Sequence, residues 1–224
     1  MKLPKTIAID GPAASGKSTL AEKLAGTLGY LLFDTGVMYR AVTLAALETL
    51  HAVDNEMEVT SLAEGVQIDV EPPTKNDGRK YDVLLNGEDV TWQIRLPEVD
   101  ANVSHVSAYP GVRKAMTAQQ RRIGQRGGVV MVGRDIGTVV LPEAELKIYL
   151  DASVEERARR RFEEVQMRGE NQTYPEILAS MRRRDQIDST RAVAPLRPAK
   201  DAVIINSDEL NIEQVLEKVV GLFE

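Results

Sequence analysis

Gly11, Gly16, Lys17 and Ser18 stand at the spacing G-x-x-x-x-G-K-[ST], inside the stretch IAIDGPAASGKSTLAEKLAG. Glycines at these places let backbone N–H groups turn inward around a phosphate. A lysine there reaches the transferring group, and the serine hydroxyl can sit on Mg²⁺. Gly11, Pro12, Ala13, Ala14, Ser15, Gly16, Lys17, Ser18 and Thr19 are therefore the candidate cradle for the triphosphate, with Ser18 as the metal ligand. The motif specifies a nucleoside triphosphate and leaves open what receives its phosphate.

Three further constellations carry charge where charge has a use. Asp34-Thr-Gly-Val-Met-Tyr-Arg40 puts Thr35 and Arg40 at a strand end and one turn into a helix, the edge where open α/β sheets bind ligands; a solvated helix start is the plainer alternative. Arg134 and Asp135 leave the apolar run Val129–Val132 directly, and charges at the end of a buried strand need partners. Arg134 suits an anionic phosphate and Asp135 a donor on a base, although an Arg–Asp pair bracing a turn has the same signature. Arg184, Asp188 and Arg191 fall at i, i+4 and i+7, so one helical face carries plus, minus, plus. Such a face is equally compatible with plain solvation. Ser104 and Arg113 are uninformative taken singly, His51 and His105 lack metal-ligand spacing, and Trp92 reads as packing.

The elements that must position these groups alternate. Thr6–Asp10, Tyr30–Asp34, Val129–Val132, Leu146–Leu150 and Val203–Ile205 read as short strands, apolar along their length and separated by helical patterns, which indicates a parallel sheet covered on both faces. The first helix should close on Gly26 or Gly29, and a second should run from Val37 to about Leu50. From about Ala63 to Arg95 the period changes to two, with Asn86-Gly87 as a hairpin turn, predicting a small antiparallel insert. Its loop, residues 71–80, is expected to be mobile. Ser153-Val-Glu-Glu156 and Thr173-Tyr-Pro-Glu176 both fit the capping box. Glu155–Arg159 and Glu156–Arg160 are spaced as i,i+4 pairs, residues 168–172 form a polar hinge or tip, and an amphipathic helix from Ile212 to Leu222 closes the chain.

The totals bound the reading. A chain of 224 residues, 43% hydrophobic and 28% charged, supports one globular unit with appendages. Its net charge of −6 argues against nucleic-acid polymers and anionic membranes as partners, so anionic ligands must be held by local basic clusters. With no cysteine there are no disulfides, thiolate metal sites or cysteine nucleophiles. No run approaches the roughly 18 apolar residues of a membrane span, and the expectation is a cytoplasmic protein.

Taken in order, GPAASGKST, DTGVMYRA, NVSxV…PGVR, GRDIGTVV, KIYLDAS with its arginine-rich helix, and RRRDxxDSTRAVAPL resemble one family, the bacterial-type cytidylate kinases among the P-loop nucleoside monophosphate kinases. The resemblance spans nearly the whole chain. It implies a single unit over 1–224 built on a five-stranded parallel sheet flanked by helices. A β insert at 63–96 would enlarge the nucleotide-binding arm, and 153–175 would form a helical lid. It further implies transfer of the γ-phosphoryl of ATP, with Mg²⁺, to CMP or dCMP; a monomer is the separate expectation for the chain's assembly. Arg40, Arg134 and Arg191 would then grip the acceptor's phosphate; Ser104, Arg113 and Asp135 would read cytosine; Thr35, Arg184 and Asp188 would face the sugar, with Tyr39 in the same site. Arg157, Arg160 and Arg161 would close over the triphosphate, and Lys17, Arg134, Arg160 and Arg191 would supply the catalytic charges.

Two positions depart from the family pattern. Val132 stands where many relatives carry Asp or Glu, removing a carboxylate from the metal's surroundings, and Thr35 stands where Ser is common. Two other functions fit the phosphate loop alone: a small-metabolite kinase of the shikimate or gluconate type, and a nucleotide-gated binding module without turnover.

Overall fold

The computed structural model describes residues 3–169 and 171–223, so Glu170 of the polar connection lies outside the described residues. Its central sheet is formed by β1 (Thr6–Asp10), β2 (Leu31–Asp34), β6 (Val129–Gly133), β7 (Leu146–Asp151) and β8 (Val203–Asn206), in the order β2-β6-β1-β7-β8. Every neighbouring pair is parallel. This is the sheet read from the five apolar runs, with β2 starting at Leu31 in place of Tyr30.

Alternation along the strands feeds two cores, as a sheet covered on both faces requires. Ile7, Ile9, Val130 and Val132 join Leu20 and Leu24 of α1 (Lys17–Leu28) and Val215 and Val219 of α8 (Ile212–Val220) on one face. Ala8, Phe33 and Met131 face the other way, toward α2 (Gly36–Thr49), α3 (Glu56–Gly65), α4 (Pro97–Val106) and α5 (Pro110–Gly124). The first helix stops at Gly29, whose φ of 67° is the left-handed conformation glycine supplies at helix ends.

The insert is a three-stranded antiparallel sheet of β3 (Ile68–Glu71), β4 (Asp82–Leu85) and β5 (Glu88–Asp89). Asn86 and Gly87, with φ of 52° and 88°, make the two-residue turn that positive φ at both places allows. The insert begins later than the sequence indicates, because Ala63 belongs to α3. Ile68, Val70 and Val83 are fully buried in the same core as α2 and α5, so the insert is continuous with the main body. Its loop is also pinned, contrary to expectation. The buried guanidinium of Arg79 bonds the carboxylates of Asp77, Asp82 and Asp89, and Lys75 reaches Asp89. Trp92 is half exposed, its indole nitrogen donating to Asp77.

Beside the sheet, α6 (Val154–Met167) packs on α7 (Tyr174–Thr190) through Ala158, Val165, Ile177 and Met181. Thr173 and Glu176 form the expected reciprocal cap. Ser153 caps α6 alone, because the Glu156 carboxylate turns to Arg159 and Arg160, which hold it down to about 2. The Glu156–Arg160 pair forms as spaced, whereas Glu155 crosses to Arg182 of α7 and not to Arg159.

Candidate active site

The parallel register sets Asp10 beside Gly133 and Asp34 beside Val132, so the phosphate loop, the Arg134–Asp135 segment and Thr35 leave adjacent strand ends at the carboxyl edge. Ligands bind there in open α/β sheets. At the start of the loop a side chain is impossible: Gly11 has φ of 148°, and a Cβ would lie 2.1 Å from the Leu150 carbonyl oxygen. Lys17, the first residue of α1, is almost fully buried and donates to the Pro12 carbonyl at 2.5 Å and to Ser15 Oγ at 3.3 Å. Burial first, and the nearby charge of Arg134 second, pull its ammonium well below the ordinary lysine range. A phosphate in the loop would restore the counter-charge that burial withholds.

Across from Lys17 lies a network of arginines and aspartates. Arg113 places one terminal nitrogen 2.8 Å from both oxygens of Asp135, and its guanidinium lies 5.4 Å from the centre of the Tyr39 ring. Its Nε is buried and has no hydrogen-bond partner among the described residues. Arg134 donates through Nε to Asp188 at 2.9 Å. Arg191 sits just beyond the last turn of α7, not within it, where Nε donates to the Ala194 carbonyl and the terminal nitrogens reach Asp188 and Asp135 at 3.5 and 3.4 Å. Arg40 donates to the Ile94 carbonyl at 3.1 Å and pairs with Asp100 at 2.5 Å. Burial, and then the charge of Arg134, pull Arg184 below its ordinary value. Four arginines thus share Asp100, Asp135 and Asp188, with Arg184 close by, and the positive surplus calls for an anion.

The remaining expected residues are less open. The Thr35 hydroxyl is buried and donates to the Val132 carbonyl at 2.9 Å, while Ser104 is half-buried on α4. Each of the three arginines expected in a lid is matched by a carboxylate. Arg157 is buried and bonds Asp185 of α7 together with the carbonyls of Ala152 and Ala13, the last within the loop itself. Arg160 is held by Glu156 and by the Ser207 carbonyl, and the more exposed Arg161 pairs with Glu164. A cleft of about 1820 Å³ runs from the phosphate loop between α6, α7 and residues 207–212, and reaches Arg40, Asp100 and Arg184.

Some contributors escaped the sequence reading. Asp10 accepts from the backbone N–H groups of Ile136 and Gly137 at 2.8 and 2.7 Å, fixing the turn that follows Asp135. Burial raises its carboxyl to about 6. The reasoning applied to Arg134, a charge at the end of a buried strand, would have found it. Tyr81 brings the insert to the site: burial and the Asp34 carboxylate push its phenol up to about 12. Nothing local marked Tyr81, since the contact depends on how the insert folds back.

The metal question turns on Asp34. Val132 points into the apolar core, yet Asp34 on the adjacent strand accepts from Ser18 Oγ at 3.2 Å. A hydroxyl and a carboxylate are hard oxygen donors, and no group of three acidic or imidazole side chains converges into a metal cage among the described residues. That donor set fits Mg²⁺, which takes few protein ligands and is completed by phosphate oxygens and water.

Comparison with known proteins bears on the acceptor. The family model for cytidylate kinase matches residues 7–224. A cytidylate kinase of Chloroflexus aggregans is 52% identical over 223 residues, covering 100% of this chain and 95% of that protein. One from Herpetosiphon aurantiacus is 50% identical over 222 residues, covering 99% and 95%, and one from Roseiflexus castenholzii is 52% identical over 222 residues, covering 99% and 94%. Among the described residues no helix is long and apolar enough to cross a membrane.

Proposed function

The chain belongs to the cytidylate kinase family, and from that membership we infer that it transfers the γ-phosphoryl group of ATP to CMP or dCMP, giving ADP and CDP or dCDP. One observation supports the division of its site most strongly. The register that pairs Asp10 with Gly133 brings the donor loop and the arginine network to neighbouring strand ends, close enough for Arg134 to act on Lys17.

Residues 11–19 hold the triphosphate through backbone N–H groups, and Lys17 turns from the Pro12 carbonyl to the transferring phosphoryl group. Arg40, Arg134 and Arg191 hold the acceptor's phosphate in line. That phosphate is largely dianionic near neutral pH, so the attacking oxygen needs no protein base. The task left to the protein is positioning and charge neutralisation, which an arginine-rich site in an acidic chain supplies. Ser18 and Asp34 would hold Mg²⁺, which supplies further neutralisation along the phosphates when bound.

Asp135 accepts from the exocyclic amino group of cytosine, and Arg113, with its unpartnered Nε, donates to the ring's acceptor edge beside Ser104. Thr35, Tyr39, Arg184 and Asp188 line the nucleoside side. Residues 153–175 form the lid, whose Arg157, Arg160 and Arg161 exchange their present carboxylate partners for phosphate oxygens on closure. Closure excludes water, so that the nucleotide is phosphorylated in its place. Residues 63–96 form part of the acceptor arm, and the chain acts as a monomer on small-molecule substrates, since donor and acceptor groups all come from one chain. A coupled ADP-release assay across nucleoside monophosphates tests the reading, with CMP and dCMP expected far ahead.

A further inference from the structure

Arg40 differs from the other acceptor-side arginines in the carboxylate that balances it. Asp135 and Asp188 are buried, with 7% and 12% of their side chains exposed, and each serves two arginines. Asp100 is 56% exposed and, among the described residues, pairs with Arg40 alone. It lies in the first turn of α4, one helical turn before Ser104, and faces the same cleft as the phosphate loop. Arg40 has a second anchor, the Ile94 carbonyl at 3.1 Å, which does not depend on Asp100.

These facts separate two tasks. The backbone carbonyl aims the guanidinium, and the carboxylate supplies an anion that an incoming phosphate must replace or share. A carboxylate and a phosphate compete for the same donors on a guanidinium, and their like charges repel across it. We propose that Asp100 is a displaceable counter-ion of Arg40, a positioning residue that occupies the guanidinium while the acceptor site is empty and yields it to the acceptor's phosphate. The exchange loosens the tie between α2 and α4, so acceptor binding and movement of the arm that carries Ser104 become one event. This rests on the reading of Arg40 as a ligand of the acceptor phosphate.

The test is steady-state kinetics of the full chain with CMP and ATP varied separately. Asp100→Asn should lower the KM for CMP about two- to fivefold, the range expected when one partly exposed ion pair no longer has to be given up. The KM for ATP and kcat should stay within about twofold, the scatter this range leaves for residues outside the exchange. Asp100→Glu, which restores the carboxylate, should return the CMP value to that of the parent. An unchanged or raised KM for CMP in Asp100→Asn overturns the proposal. If a melting curve shows that variant poorly folded, Asp100→Ser makes the same test. Arg40→Ala separates the two levels: failure to raise the KM for CMP refutes the role of Arg40 itself. A raised value there, with no fall in Asp100→Asn, refutes the counter-ion alone.

Discussion

A single terminal nitrogen of Arg113 lies 2.8 Å from both carboxylate oxygens of Asp135, joining α5 to the end of β6. Both side chains are more than nine-tenths buried, so neither charge has water to fall back on. Arg113→Met should therefore cost the fold about 3–5 kcal/mol, the range for removing one partner of a buried pair, moderated by Arg191, which remains near Asp135. Urea unfolding measures it, and a loss below about 1 kcal/mol, the worth of a solvated pair, would contradict the pairing.

Lys17 gives the opposite combination. Its ammonium is desolvated and has no carboxylate hydrogen-bonded to it among the described residues, so folding gains little from its charge. Lys17→Met should melt no lower than the parent chain yet lose about 10²–10³-fold in kcat, the scale set by removing one transition-state donor. A variant that is active but unstable would reverse the assignment.

Asp10 predicts a pH dependence. Its carboxyl is raised from 3.8 to about 6 in the folded chain, so the folded state holds this proton more tightly than the unfolded state does. Stability through this group is fully present below the unfolded value and falls as pH rises from about 4 to about 6, by about 2–3 kcal/mol in total. The stability difference between the parent and Asp10→Asn, measured by urea unfolding, should shift against the parent by that amount over the same interval. A difference that does not change with pH would show that burial does not raise this carboxyl.

The insert makes its own prediction through Arg79. Replacing it with Ala leaves Asp77, Asp82 and Asp89 facing one another, with Lys75 as the remaining cation of the cluster. Because Tyr81, two residues on, lies within range of the Arg40 charge, disorder there should raise the KM for CMP more than that for ATP. Equal changes in both would detach the insert from the acceptor side.

What could be read in the sequence follows physical range. The phosphate loop, the five strands and the Asn86-Gly87 turn depend on neighbouring residues, and they appear where periodicity and turn chemistry put them. The placement of Arg134 and Asp135 at a strand end was also legible, because buried charge demands a partner whatever the partner is. Partner identity was not legible. Arg157 binding the loop carbonyl of Ala13, Glu155 crossing to Arg182, and Arg79 gathering three aspartates all depend on how distant elements pack. Taken on its own strand, the departure at Val132 reads as a lost metal contact. With β2 beside β6, Asp34 supplies a carboxylate at Ser18 from the next strand.

The division between base reading and phosphate holding is tested most directly by one coupled ADP-release series, run on the parent, Asp135→Asn and Arg191→Ala with CMP, dCMP, UMP, AMP and GMP as acceptors. The parent should favour CMP and dCMP strongly. Asp135→Asn should narrow the gap between CMP and UMP by about 10-fold or more, the worth of a hydrogen bond to a charged group. Arg191→Ala should slow every acceptor by a similar factor and leave the ranking intact. A parent chain that works best on AMP, or identical acceptor profiles for the two variants, would contradict the account.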